Sequence, residues 1–137
     1  MEKPELDYAF LADYAQVQND KLTVVGASFT QMFTPSFPAD LNFFIAGRIR
    51  VPEQEHFFEL DLRVQMPNVA GEDPFTITMN GHNMADPNAH RYDGKYGMLF
   101  TAGISAPAFT EGLVEVLVDI NGEQVRRLAF DICRIRP

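Results

Sequence analysis

The chain has no tryptophan, a single cysteine (Cys133), and lysine only at Lys3, Lys21 and Lys95. One cysteine excludes an intrachain disulfide and a cysteine-built zinc cluster, and Cys133, inside a strand-like pattern, reads as an inert thiol. Scarce lysine and a net charge of −8 exclude the concentrated basic patch that nucleic acid or anionic lipid requires. The basic residues that do cluster, Arg126, Arg127, Arg134 and Arg136, read as one solvated edge of a terminal strand. No apolar run approaches the length of a membrane span, and the acidic opening Met1–Asp7 is no signal peptide. The expectation is a cytoplasmic protein with no nucleic-acid or membrane partner. Helical periodicity and a glycine-rich phosphate loop are missing too.

What is present is alternation. From Phe57 to Met66, Phe58, Leu60, Leu62, Val64 and Met66 fall on one face, and Glu59, Asp61, Arg63 and Gln65 fall on the other. That is a strand with one dry and one wet face. The 137 residues make one domain, residues 1–137, large enough to bury a core without staples. The 12 phenylalanines suit a sheet core because they need no hydrogen-bond partner.

The same pattern predicts a first strand over Tyr8–Val17, a polar turn at Gln18–Lys21, and a second strand from Leu22 to Phe29. Gly26 within it points to a bulge or a close approach of another backbone. Pro35 and Pro38 break the ladder, so residues 34–40 read as a crossing between sheets. Leu41–Val51 and the strand after Glu55 read as a second hairpin around Pro52. Pro67–Pro74 is a loop, and Phe75–Met79 a short strand. Asn80–Tyr96 is the longest irregular stretch, of a length that is functional or mobile. Met98–Ile104 is a further strand, and Ser105–Gly112 turns a corner.

The last hairpin turns at Asn121-Gly122, with Val114, Val116, Val118 and Ile120 in phase before it and Leu128, Phe130 and Ile132 after it. A two-residue loop would put Leu128 and Phe130 on the wrong face. The predicted loop therefore has three residues, with Gly122 as a left-handed bulge, Val114 opposite Leu128 and Gly112 opposite Phe130. The whole reads as an all-β antiparallel sandwich of two sheets and seven or eight strands, immunoglobulin-like or Greek-key. A small closed barrel is the alternative.

Leu11–Ala15, then Asp20–Gly26 and Phe29, resemble the opening hairpin of a family of small uncharacterised bacterial proteins known only as a domain of unknown function. Phe109, Gly112, Val114, Val116, Asn121-Gly122 and Phe130 are similar to that family's ending. The resemblance implies a compact β-sandwich and no activity, so it assigns no catalytic residue. Asn19-Asp20-Lys21 stands where Gly-Lys is usual, and the 80–96 stretch departs from the common pattern.

No chemistry-bearing motif stands out. His82, Asp86 and His90, with Asp93 close behind, would bring three groups to one face only on a helix, which Gly81, Asn83 and Pro87 oppose. Asp86–His90 lacks the glycine and the terminal glutamate of a calcium loop. Glu53, Glu55, Glu72 and Asp73 read as turn acids. Ser28, Ser36 and Ser105 lie in no nucleophile elbow, and Cys133 has no adjacent histidine. Asp13 and Tyr14 read as ties for the first strand, or as lining of a pocket between the sheets. The expectation is a non-enzymatic binding or protein-interaction module without metal or cofactor, its protein partner unidentified, with a homodimer through an edge strand as an option. The candidate recognition loop carries His82, Met84, His90, Arg91, Tyr92 and Tyr96, residue types favoured at interfaces. The alternatives are a metal-dependent hydrolase using the 80–96 loop and a carrier of small apolar ligands.

Overall fold

The computed structural model describes residues 3–54, 57–68, 76–84 and 89–136. It is a sandwich of two sheets, not a closed barrel. One sheet holds β1 (Glu5–Gln18), β2 (Lys21–Ala27), β4 (Ala39–Pro52) and β7 (Lys95–Ala108) in the order β2-β1-β4-β7. The other holds β3 (Gln31–Thr34), β5 (Phe57–Gln65), β6 (Thr76–Met84), β8 (Gly112–Ile120) and β9 (Glu123–Arg134) in the order β3-β9-β8-β5-β6. All pairs are antiparallel except β3 with β9.

Alternation fills the space between the sheets. Leu41, Phe43 and Ile45 of β4 meet Leu62 and Val64 of β5, Val114, Val116 and Val118 of β8, and Phe130 and Ile132 of β9, all buried. Phe29, Phe43 and Phe130 stand edge to face at 5.1, 5.2 and 6.5 Å, so the phenylalanines fill the centre with one another. On the wet face of β5, Arg63 donates to both carboxylate oxygens of Asp119 at 2.9 and 3.1 Å. That pairing lets Asp119 be only 8% exposed.

Several sequence expectations need correction. The described residues form nine strands, not seven or eight. The added strand is β3, four residues long and parallel to β9, too short to show a period. It lies just before the 34–40 crossing, which does carry the chain back to the four-stranded sheet at Ala39. β4 and β5 are not a hairpin, because they lie in different sheets. Val51 and Phe58 still meet, in a cluster with Ile49, Tyr96 and Ile120, but they do so across the sandwich. Alternation gives the face a residue takes but not the sheet its strand joins.

β6 extends to Met84 and β7 begins at Lys95, so residues 80–84 and 95–96 of the expected irregular stretch are strand, and residues 85–88 lie outside the described residues. β7 also runs past Ile104 to Ala108. The 67–74 loop falls largely outside the described residues. β9 is not an open edge along its length, since β3 covers Asp131–Arg134. Two of its expected solvated arginines are paired locally, Arg127 with Glu115 at 2.8 Å and Arg136, just beyond the strand, with Glu111 at 2.7 Å.

The last hairpin has the tighter turn after all. Ile120 pairs with Glu123, and Asn121 and Gly122 both take left-handed φ values, 51° and 81°. The Asn121 side chain accepts from the Glu59 N–H at 3.0 Å, fixing the turn to β5. Faces are brought into agreement by a register shift at Val118/Asp119, so Val114 faces Phe130 and Gly112 faces Ile132. The extra residue sits inside β9 rather than in the loop.

Phe130→Ala is expected to lose about 3–5 kcal/mol in urea unfolding, because the ring fills the middle of the aromatic stack. Phe33, 61% exposed, should tolerate alanine within about 0.5 kcal/mol. Equal losses would contradict this placement of the core.

Candidate functional site

The functional candidate lies on the outer face of the four-stranded sheet. Register places Phe10, Ala46 and Thr101 in one row, Ala12, Phe44 and Gly103 in the next, and Tyr8, Arg48 and Leu99 in a third. An antiparallel sheet commonly leaves such a face to water. Here the first hairpin covers part of it. β1 pairs with β4 only as far as Ala12, and beyond that point it pairs with β2 alone. The hairpin then folds back over the sheet: Ala15 joins Ala12 and Ala46 in a buried cluster, with Leu22, Val24, Phe10 and Phe44 packed on it.

Gly26 allows the fold-back. Its φ is +64°, and a Cβ there would lie 2.1 Å from Asp13 Oδ2. The bulge expected from the sequence is thus a close approach, by a side chain rather than a backbone. Tyr14 points outward, 43% exposed, donates to Gln16 Oε1 at 2.8 Å and stands edge-on to Phe44 at 5.2 Å. It does not line a space between the sheets.

The fold-back brings the hairpin tip to the far rows of the sheet. Asn19 and Asp20 turn it with φ values of 50° and 59°, a conformation these two residues tolerate better than most. Val17 and Asp20 then form one side of a cavity of about 510 Å³ with Arg48, Ala89, His90, Tyr92, Tyr96, Gly97, Met98 and Leu99. The opposite side, 89–92, is held by a two-residue turn: Tyr92 and Lys95 exchange both main-chain bonds, at 2.7 and 2.9 Å, around left-handed Asp93 and Gly94. The dipeptide Asp93-Gly94 is the sequence signal that could have located this turn.

Arg48 forms the charged part of the floor. A register shift between Leu6 and Tyr8 makes room for Asp7 beside it. Arg48 Nε donates to Asp7 Oδ2 at 2.7 Å, Nη2 donates to the same oxygen, and the guanidinium lies 5.2 Å from the Tyr8 ring centre. Hydrogen bonding to Asp7 raises the arginine's pKa, outweighing the opposing effect of burial. A base with a raised pKa stabilises the fold while protonated, so this contribution holds until pH climbs into the guanidinium's own range.

The expected recognition residues divide. His90, Tyr92 and Tyr96 are brought together around the cavity. Tyr96 is only 1% exposed and belongs to the core cluster with Ile49 and Phe58, so it supports the cavity from beneath and is not a projecting residue. Its place in β7, facing inward, is the reason. Arg91 lies over the Tyr96 ring at 5.8 Å and reaches Glu53 at 3.5 Å, tying this segment to the turn after β4. His82 and Met84, described by their main chain, are ladder positions of β6 opposite Glu59 and Phe57. Asp86, Glu55, Glu72 and Asp73 lie outside the described residues. Among the described residues, no three His, Cys, Asp or Glu side chains are grouped as metal ligands. Val17, Asp20, Arg48 and Leu99 were not singled out by the sequence, because nothing local announces that the hairpin folds back onto the sheet.

A family model described as "Family of unknown function (DUF6941)" matches residues 7–133. The chain belongs to this family. Membership agrees with the resemblance read from its two terminal hairpins. The DUF6941 match runs from Asp7, the partner of Arg48, to Cys133 on β9, and so includes the whole cavity lining. No curated protein matches the chain. No helix among the described residues is long and apolar enough to cross a membrane.

Asp7→Asn and Arg48→Leu should each destabilise the protein. Their double-mutant coupling in urea unfolding should be about 0.5–1 kcal/mol, small because both groups are partly exposed. Zero coupling would contradict the pairing.

Proposed function

We propose that this chain is a non-enzymatic protein-interaction module that takes a projecting side chain of its partner into the outer-face cavity. The observation that carries this reading is the composition of the cavity: exposed Tyr92 and His90 on one side, exposed Val17 and Asp20 on the other, and Leu99 and Arg48 between them. Aromatic and apolar surface beside an arginine is the composition that interface cores favour. The reading also draws on construction. Both sides of the cavity are tight two-residue turns, so the surface is preformed and costs little ordering entropy on binding.

A carrier of small apolar ligands is less well supported, because Phe29, Phe43 and Phe130 occupy the interior with one another. A hydrolase built on the 80–96 segment is less well supported as well, since residues 80–84 are ladder positions of β6 and Tyr96 is core.

Tyr92 is 38% exposed and gives the direct test. A partner is first identified by copurification at native expression level, and its affinity is then measured by calorimetry. Tyr92→Ala should leave the melting temperature nearly unchanged, a cost within about 0.5 kcal/mol. It should weaken the complex by roughly 2 kcal/mol, about thirtyfold. Unchanged affinity would overturn the reading, and a large loss of stability would make Tyr92 a structural residue instead.

A further inference from the structure

Four strands lie at the lateral ends of the two sheets: β2, β7, β3 and β6. β2 is bent at left-handed Gly26, and β3 has four residues, both features that blunt an edge. β6 is nine residues long. β7 is the longest at fourteen residues, keeps one unbroken register with β4 from Ala39↔Ala108 to Pro52↔Lys95, and carries no charge after Lys95. A long, unbroken, uncharged edge is a template for another strand.

Three observations fix which of its main-chain groups face outward. Ser28 N donates to Leu11 O, so Leu11 turns its main chain toward β2. Its partner Ile45 therefore turns toward β7 and forms a hydrogen-bonded pair with Ala102. Lys95 exchanges its bonds with Tyr92 on the side away from β4. Pro107, which has no N–H to give, shares the parity of Lys95, as a proline in an edge strand must. Leu99, Thr101, Gly103 and Ser105 thus aim their N–H and C=O groups outward, where β7 pairs with no strand among the described residues.

We propose that this edge pairs with the same edge of a second copy of the chain, antiparallel about a two-fold axis at Gly103. Gly103 is the midpoint of the stretch Leu99–Pro107, between the segment that occupies Lys95 and the proline that ends the ladder. The axis places Thr101 beside the partner subunit's Ser105, a hydroxyl pair of the kind that stabilises antiparallel strands. It places Leu99 beside the partner subunit's Pro107, whose carbonyl can still accept.

Two further features favour a second copy over another strand. The net charge of −8 makes most contacts between copies repulsive, but two β7 edges meet without a charged residue between Tyr96 and Ala108. Phe44 also leans over Gly103, its ring atoms 3.2 and 3.4 Å from where a Cβ would stand. Two such glycines facing each other lie about 5.5 Å apart. The edges of the two Phe44 rings are then brought toward each other across the axis, on one face of the joined sheet. The product is one continuous sheet of order β2-β1-β4-β7 joined to its two-fold copy.

Sedimentation equilibrium tests this. The wild-type chain of 15.4 kDa should sediment at twice that mass. Thr101→Pro removes only an outward N–H, as Pro107 does natively, so the fold should persist by circular dichroism. The dimer dissociation constant should rise at least about tenfold. Ser105→Pro serves the same purpose if Thr101→Pro does not fold. Tyr92→Ala should remain dimeric, so loss of the dimer proposal leaves the cavity reading standing. A wild-type mass of one chain at the highest soluble concentration, or a folded proline variant that still dimerises unchanged, overturns the proposal.

Discussion

Three buried alanines on the outside of a sheet, Ala12, Ala15 and Ala46, set the position of everything on the functional face. A larger side chain at any of them would hold the first hairpin away from the sheet. With only methyl groups between them, the two layers approach closely, and Leu22, Val24, Phe10 and Phe44 close over the contact. The protein thus has a second, smaller hydrophobic layer outside its sandwich. Burial of apolar area drives it as in the main core, at roughly 25 cal/mol per Å².

The cavity follows from that contact. Without the fold-back, Val17 and Asp20 would lie at the far end of an extended hairpin, remote from Arg48 and Leu99. With it, one strand pair carries a side of the cavity, while β4 and β7 supply its floor. Phe44 serves two surfaces, packed on the alanine layer and leaning over Gly103 of β7, the last strand of its sheet. β7 likewise turns Tyr96 and Ile104 to the core, Leu99 to the cavity and its outward main-chain groups to the edge.

The sequence showed face more readily than partner. Val114, Val116, Val118, Leu62 and Val64 were assignable to the core by alternation alone, and the first and last hairpins by their turn residues. The 34–40 crossing was legible because proline forbids a ladder bond. The assignment of β4 and β5 to one hairpin failed because Val51 and Phe58 do meet, only across the layers. Tyr96 looked like a loop residue because Gly94 and Gly97 flank it, although Asp93-Gly94 marks the turn that starts its strand. The cavity was half legible: His90 and Tyr92 could be suspected from their types, whereas Arg48, Val17 and Asp20 join them only through a long-range fold-back.

The contact between the hairpin and the sheet is open to direct measurement by nuclear Overhauser spectroscopy on methyl-labelled protein. Cross-peaks are expected from the methyls of Leu22 or Val24 to those of Ala12, Ala15 or Ala46, together with weak broadening of the alanine methyls by a soluble paramagnetic probe. Absence of those cross-peaks, with Ala12 and Ala46 fully broadened by the probe, would mean that the hairpin stands free of the sheet and that the cavity is not formed.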